Sequence, residues 1–239
     1  MEIRQATLET CGAATGTVVV IDVVRAFTTA AYAFAAGARD IVLTASVEEA
    51  LALRRQMPGA LTMGEVDGLP IPGFDFGNSP WAFVGAQLAG KCMIQRTSAG
   101  TQGVVRSAQA ERILACSMVC ASATARYLER CAPARVTFVI TGLLPGRDGD
   151  EDAACADFVQ AALQEPRTRP DCTPFIQRVR RSTVGRIFAD PAQPMFPAAD
   201  LECCLAVDCF DFAMPVARQG ALLVMTAERP IAAGRCHRR

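Results

Sequence analysis

The chain has 239 residues, 51% of them apolar, enough to bury a full core as one large domain or two small ones. Its 24 acidic residues balance 24 basic ones, so net charge points to neither a nucleic acid nor a membrane as partner. The one histidine, His237, stands in a basic RCHRR run near the C-terminus, and that scarcity removes most histidine-based hydrolase chemistries.

The opening MEIRQATLETCG lacks the basic-then-apolar pattern of a secretory signal, which favours a cytoplasmic protein. The most apolar stretch, residues 17–38, carries Asp22 and Arg25 near its middle. Two central charges are too costly in a bilayer, so it reads as a buried strand and helix. In chain order, residues 17–22 form a strand, 28–36 a helix ended by Gly37, 41–44 a strand, and 47–56 a helix opened by a Ser46/Glu49 capping box. Strand 60–63, helix 80–89, strand 91–96, helix 100–109, strand 113–117, helix 121–130, strand 136–141 and helix 151–163 follow. Strands separated by helices of this length imply parallel pairing, hence a three-layer α/β/α fold with a mainly parallel sheet. After Gln164, prolines and arginines cluster over 165–174 and prolines again over 191–197. A helix is expected between them over 174–188, helix or buried chain over 201–207, and a last strand over 221–225. No repeat or linker divides the chain, so we expect one α/β domain over 1–239 with an irregular C-terminal third.

Eleven cysteines suit reduced, buried thiols better than a disulfide framework in such a chain. No C-x-x-C pair occurs, and the Cys116/Cys120 and Cys203/Cys204/Cys209 groups lack a companion histidine, so no structural zinc is expected. Cys120 to Arg126 and Cys172 to Arg178 both fit C-x5-R. Neither has glycines to cradle a phosphate, which makes a thiolate nucleophile the weaker reading.

Three polar motifs sit at the edges of apolar runs. In IDVVRAFTT, Asp22 ends a strand, and Arg25, Thr28 and Thr29 occupy the next turn, where helix amides receive anions. The same residues would also serve as a simple helix cap. GEVDGLPIPGFDFGNSP places Glu65, Asp67 and Asp75 among glycines and prolines, where carboxylates coordinate a hard cation or line a solvated turn. QRTSAGT repeats the logic with an arginine, three hydroxyls and Gly100 opening a helix.

In order and wording these motifs, with the later acidic DGDEDAACADF, resemble the 2-phosphosulfolactate phosphatase family, the ComB-like enzymes of coenzyme M biosynthesis. The resemblance implies an α/β fold, Mg2+ dependence, and hydrolysis of the phosphate ester of a small sulfonated hydroxy acid. Carried over, Asp22, Arg25 and Thr28 match the first motif, Glu65, Asp75, Asn78 and Ser79 the second, Thr97, Gly100 and Thr101 the third, and Glu151 and Asp152 the acidic pair. Together with the reading of the residues, it leads us to expect Asp22, Arg25, Thr28 and Arg96 in catalysis, Asn78, Ser79, Thr97, Ser98, Gly100 and Thr101 on the substrate, and two or three of Asp22, Glu65, Glu151 and Asp152 on the metal. Asp22 is either a metal ligand or the nucleophile itself. The expected partner is a small anionic phosphorylated substrate, and a homodimer is compatible with it. Ser98 and Ala99 depart from the family's usual Thr-Asn at these positions, which bears on the exact substrate. A catalytically silent member that only binds such a metabolite is the alternative.

Overall fold

The computed structural model describes residues 1–165 and 168–229, so His237 and the RCHRR run lie outside the described residues. The elements are β1 (Glu2–Thr7), β2 (Thr17–Ile21), α1 (Ala26–Ala35), β3 (Asp40–Leu43), α2 (Val47–Gln56), β4 (Leu61–Val66) and β5 (Leu69–Pro70). Then come β6 (Cys92–Arg96), α3 (Gly100–Arg106), β7 (Arg112–Cys116), α4 (Ala121–Cys131), β8 (Arg135–Ile140) and a small hairpin, β9 (Leu143–Leu144) with β10 (Arg147–Asp148). The C-terminal third adds α5 (Asp150–Gln164), α6 (Thr173–Arg181), α7 (Thr183–Ala189), α8 (Ala198–Cys204), β11 (Met214–Gln219) and β12 (Leu222–Met225). No helix among the described residues is long and apolar enough to cross a membrane.

Ten strands form one sheet in the order β1-β8-β2-β7-β11-β12-β3-β6-β4-β5. The central runs TVVVI and RILAC are apolar on both faces, as strands covered on both sides must be. Val18 and Val20 of β2 face one core with Phe27, Ala30 and Phe34 of α1 and Val104 of α3. Val19 and Ile21 face the other with helices α4 to α8. Period-two alternation of side chains thus builds the three layers.

The sheet is mixed. β1, β8, β2 and β7 pair in parallel, as do β3, β6 and β4, but the β11–β12 hairpin joins the two groups through antiparallel ladders. In ladder terms the two groups therefore run in opposite senses. Both nevertheless pack on α1 and α3, and Gln95 of β6 donates from Nε2 to the Ala26 carbonyl at 2.9 Å. That geometry requires the sheet to coil around these two helices, as accumulated strand twist allows. The carboxyl ends of β2 and β6 consequently border one crevice.

Several expected elements change form. Helix 80–89 is a single 3-10 turn, Pro80–Phe83, because Val84 is extended and Gly85 adopts φ +79°. Helix 174–188 is broken at Ser182, whose hydroxyl accepts the Gly185 amide and caps α7. Gly185 lies so close to α6 that a Cβ there would come within 2.0 Å of the Val179 carbonyl oxygen. The stretch after Val66 is partly regular, since Asp67 and Gly68 (φ +54° and +82°) turn β4 tightly into β5. The Ser46 cap holds, with Glu49 reaching back to the Ala45 amide.

Candidate active site

At the carboxyl end of β2, Asp22 is 6% exposed. Its Oδ1 accepts the Ala26 amide at 2.9 Å, the first free N–H of α1. Its Oδ2 lies against Gly100, where a Cβ would come within 2.9 Å of it. The glycine opening α3 is therefore required by the close approach of two strand ends. Burial pushes the Asp22 carboxyl up to about 6, the Ala26 amide pulls against it, and the charges of Glu65 and Glu151 push further.

Glu151 and Asp152, in the first turn of α5, are both buried. Asp152 ties this turn to two strand ends: Oδ1 accepts the Val23 amide at 2.8 Å, and Oδ2 accepts the Gly142 amide at 2.7 Å and the Thr141 hydroxyl at 3.2 Å. Its carboxyl is pushed far above the usual range by burial and by the charges of Glu151 and Asp22. Burial also raises Glu151, whose Oε2 has no hydrogen-bond partner. Glu65 is more fully engaged. Its Oε1 accepts the Ser98 amide at 2.6 Å, and its Oε2 accepts the Gly68 amide at 2.6 Å and the Ser98 hydroxyl at 3.2 Å. Among the described residues no three Asp, Glu, His or Cys side chains converge closely enough to enclose a metal ion.

In front of these groups lies a crevice of about 400 Å³, lined by Asp22, Arg25, Glu65, Asn78, Ser98 and Ala99 and closed by Arg147, Phe188 and Phe196 among others. Asn78 presents a buried Oδ1 with no partner. Arg25 is 7% exposed, and its guanidinium lies 4.8 Å from the Phe188 ring centre. Nη1 pairs with the buried Asp200 at 2.8 Å, and Nη2 donates to the Gly68 carbonyl at 3.0 Å. Asp200 also accepts the Ser79 hydroxyl and the Trp81 amide.

Other expected site residues serve the scaffold. The Thr28 hydroxyl is fully buried, donating to the Val23 carbonyl at 2.7 Å and bonding Ser117. The Thr97 amide donates to the Thr101 hydroxyl at 2.9 Å and the Thr101 amide to the Thr97 hydroxyl at 3.0 Å, which holds the start of α3. Ser79 caps the 3-10 turn and braces Asp200, so it acts behind Arg25. Arg96 donates to the Glu65 carbonyl at 2.8 Å and to the Ser98 hydroxyl, behind the crevice wall. Asp75 latches its loop to Thr62 at 2.8 Å and to Arg54 at 2.7 Å, away from the crevice.

Both C-x5-R matches dissolve. The Cys120 thiol is fully buried and pushed far above its usual range by Cys116 and by burial, while Arg126 pairs with Asp211. Arg178 is spent on Asp150 and Asp157. Sequence reasoning missed Asp200, Arg147 and the two phenylalanines. Phe188 ends a segment read as helix, Phe196 lies in the proline-rich 191–197 stretch, Asp200 stands just before the 201–207 segment, and Arg147 falls in the loop between strand 136–141 and helix 151–163; no local pattern brings the four together.

The model of the 2-phosphosulpholactate phosphatase family matches residues 3–219. A Bacillus subtilis (strain 168) protein named probable 2-phosphosulfolactate phosphatase is 33% identical over 213 residues, covering 89% of this chain and 91% of the relative. Proteins of the same name from Deinococcus radiodurans and Carboxydothermus hydrogenoformans are 39% and 38% identical, over 60% and 63% of this chain and 60% and 61% of their own lengths. With the match running from β1 to the end of β11, across every strand end that borders the crevice, the chain belongs to the 2-phosphosulpholactate phosphatase family of phosphoric monoester hydrolases.

Proposed function

We propose that the chain hydrolyses 2-phosphosulfolactate to 3-sulfolactate and inorganic phosphate with Mg2+ at the acidic end of the crevice. The observation that carries this is the surplus of desolvated carboxylate at and behind that end: burial raises the pKa of Asp22, Glu151 and Asp152, making all three weaker acids, Asp22 lines the crevice, and Oε2 of Glu151 is buried without a partner. Such a surplus suits a hard divalent cation, and Mg2+ is usually held by one or two carboxylates, with water and phosphate oxygens completing its shell. Glu65 and Asp152 already have both oxygens engaged by protein donors, which leaves Asp22 and Glu151 to hold it. When bound, the cation would neutralise phosphate charge and acidify water.

The remaining work falls to side chains of the chain itself. Asp22, with a pKa of about 6, is largely ionised at neutral pH. Either it takes a proton from the attacking water and returns it to the sulfolactate oxygen as the P–O bond breaks, or it attacks phosphorus and expels that oxygen, leaving an aspartyl phosphate that water then hydrolyses. Arg25, locked by Asp200 and stacked on Phe188, supplies positive charge that needs no reorganisation during the reaction. The substrate class is supported by the relatives' names, and a crevice of about 400 Å³ suits a ligand of this size.

Phosphate release from 2-phosphosulfolactate, measured with Mg2+, after exhaustive chelation and on readdition, tests the proposal. Turnover should vanish with the chelator and return with the metal. Full activity after chelation removes the cation from the mechanism, and turnover of other small esters but not this one reassigns the substrate.

A further inference from the structure

The crevice holds two arginines among its described lining residues, and they differ in kind. Arg25 is buried, paired with Asp200 and bonded to the Gly68 carbonyl. Arg147 is exposed, and among the described residues its guanidinium makes no hydrogen bond or ion pair, although its backbone is held firmly. It pairs with Leu144 across the β9–β10 hairpin. The next residue, Asp148, accepts the Thr183 amide at 3.1 and 3.2 Å and the Asp150 amide at 3.2 Å, fixing the hairpin to α7 and α5. A long cationic side chain is thus aimed over the crevice from an anchored base, with its donors unspent. Leu144 and Pro145 of the same hairpin line the crevice beside it, which lowers the local polarity and strengthens any charge-assisted bond it makes.

We propose that Arg147 is the specificity-determining residue that binds the sulfonate of the substrate. The inference rests on the proposed function above. In a 2-phospho-3-sulfo acid the carboxylate sits on the ester carbon, beside the reacting phosphorus, whereas the sulfonate extends one carbon further. The reacting phosphate belongs at the buried Asp22 end, so the group at greatest reach is the one available to a cation on the exposed hairpin. A guanidinium fork offers paired donors to such an oxyanion, which lysine cannot reproduce. The crevice's other described cation is already neutralised by Asp200.

Two arms test this. In the first, kcat/KM is measured for 2-phosphosulfolactate and for 2-phospholactate, which lacks the sulfonate, in wild type, Arg147→Ala and Arg147→Lys. Arg147→Ala should lose about tenfold to a hundredfold on the sulfonated ester, chiefly through KM, and change about twofold or less on the other. Arg147→Lys should recover part of the difference. A hairpin disturbed merely by the substitution would lower both substrates together and leave their ratio intact, which overturns the proposal. In the second arm, calorimetric titration compares 3-sulfolactate with lactate and needs no turnover. Wild type should prefer 3-sulfolactate and Arg147→Ala should lose that preference. If wild type shows no preference, or the variant keeps it, Arg147 does not read the sulfonate, whether or not the phosphatase assay succeeds.

Discussion

Asp22 sits where two demands on a carboxylate conflict. Its amide partner favours the charged form, while burial and two acidic neighbours disfavour it, and burial wins, giving a pKa of about 6 against an ordinary 3.8. Asp22→Asn retains the acceptor for the Ala26 amide but removes the charge, so turnover should fall by orders of magnitude with the fold kept. Stability supplies a second check with a definite sign. Below pH 3.8 the carboxyl is protonated folded or unfolded; between pH 3.8 and about 6 the unfolded chain ionises while the fold resists, so the wild type loses stability until the folded carboxyl ionises as well. The Asn variant lacks that loss. Melting in chelator should therefore show the variant gaining on wild type between about pH 4 and 6, and a constant difference would mean that Asp22 is not held in a desolvated site. Cys120 shows the opposite economy: its thiol stays neutral in an apolar layer and serves packing alone.

Elements meet at this site through side chains that the local sequence does not advertise. Asp200, in the first turn of α8, joins Arg25 at the head of α1 to Ser79 and Trp81 of the 3-10 turn. Asp200→Asn leaves a buried guanidinium without its counter-charge, and urea unfolding should show a loss of about 3 kcal/mol. A loss below about 1 kcal/mol would mean that the pair is dispensable and Arg25 is held by its rings instead. The same contrast explains what could be read in advance. β2, β7 and β8 were legible because buried central strands are near-continuous apolar runs, and α2 because Ser46 and Glu49 sit at capping distance. β1 was missed because EIRQAT alternates charge along a sheet edge, and β11 because MPVARQ carries a proline and a polar end. Asp22, Glu65, Glu151 and Asp152 stood out as carboxylates beside turns and strand ends. Thr28, Thr97 and Thr101 share those turns, yet their hydroxyls point inward, a distinction set by tertiary packing alone.

Over the whole molecule the sheet is continuous only because β11 and β12 lie between β7 and β3. Met214 opens that seam fully buried against both α1 and the strands, so Met214→Ala should cost about 2–5 kcal/mol. Since both parallel groups depend on the seam, fluorescence and circular dichroism should report one shared transition, displaced as a unit. Separate transitions would show the two groups to be independent. The seam is also among the last described segments to leave the ribosome. Until residues 214–225 have emerged, β7 and β3 each present an unpaired edge made of RILAC and DIVL, two short apolar sequences. Synthesis at roughly 5–20 residues per second keeps those edges open for several seconds in every nascent chain, long enough for one chain's edge to meet another's before the hairpin closes it.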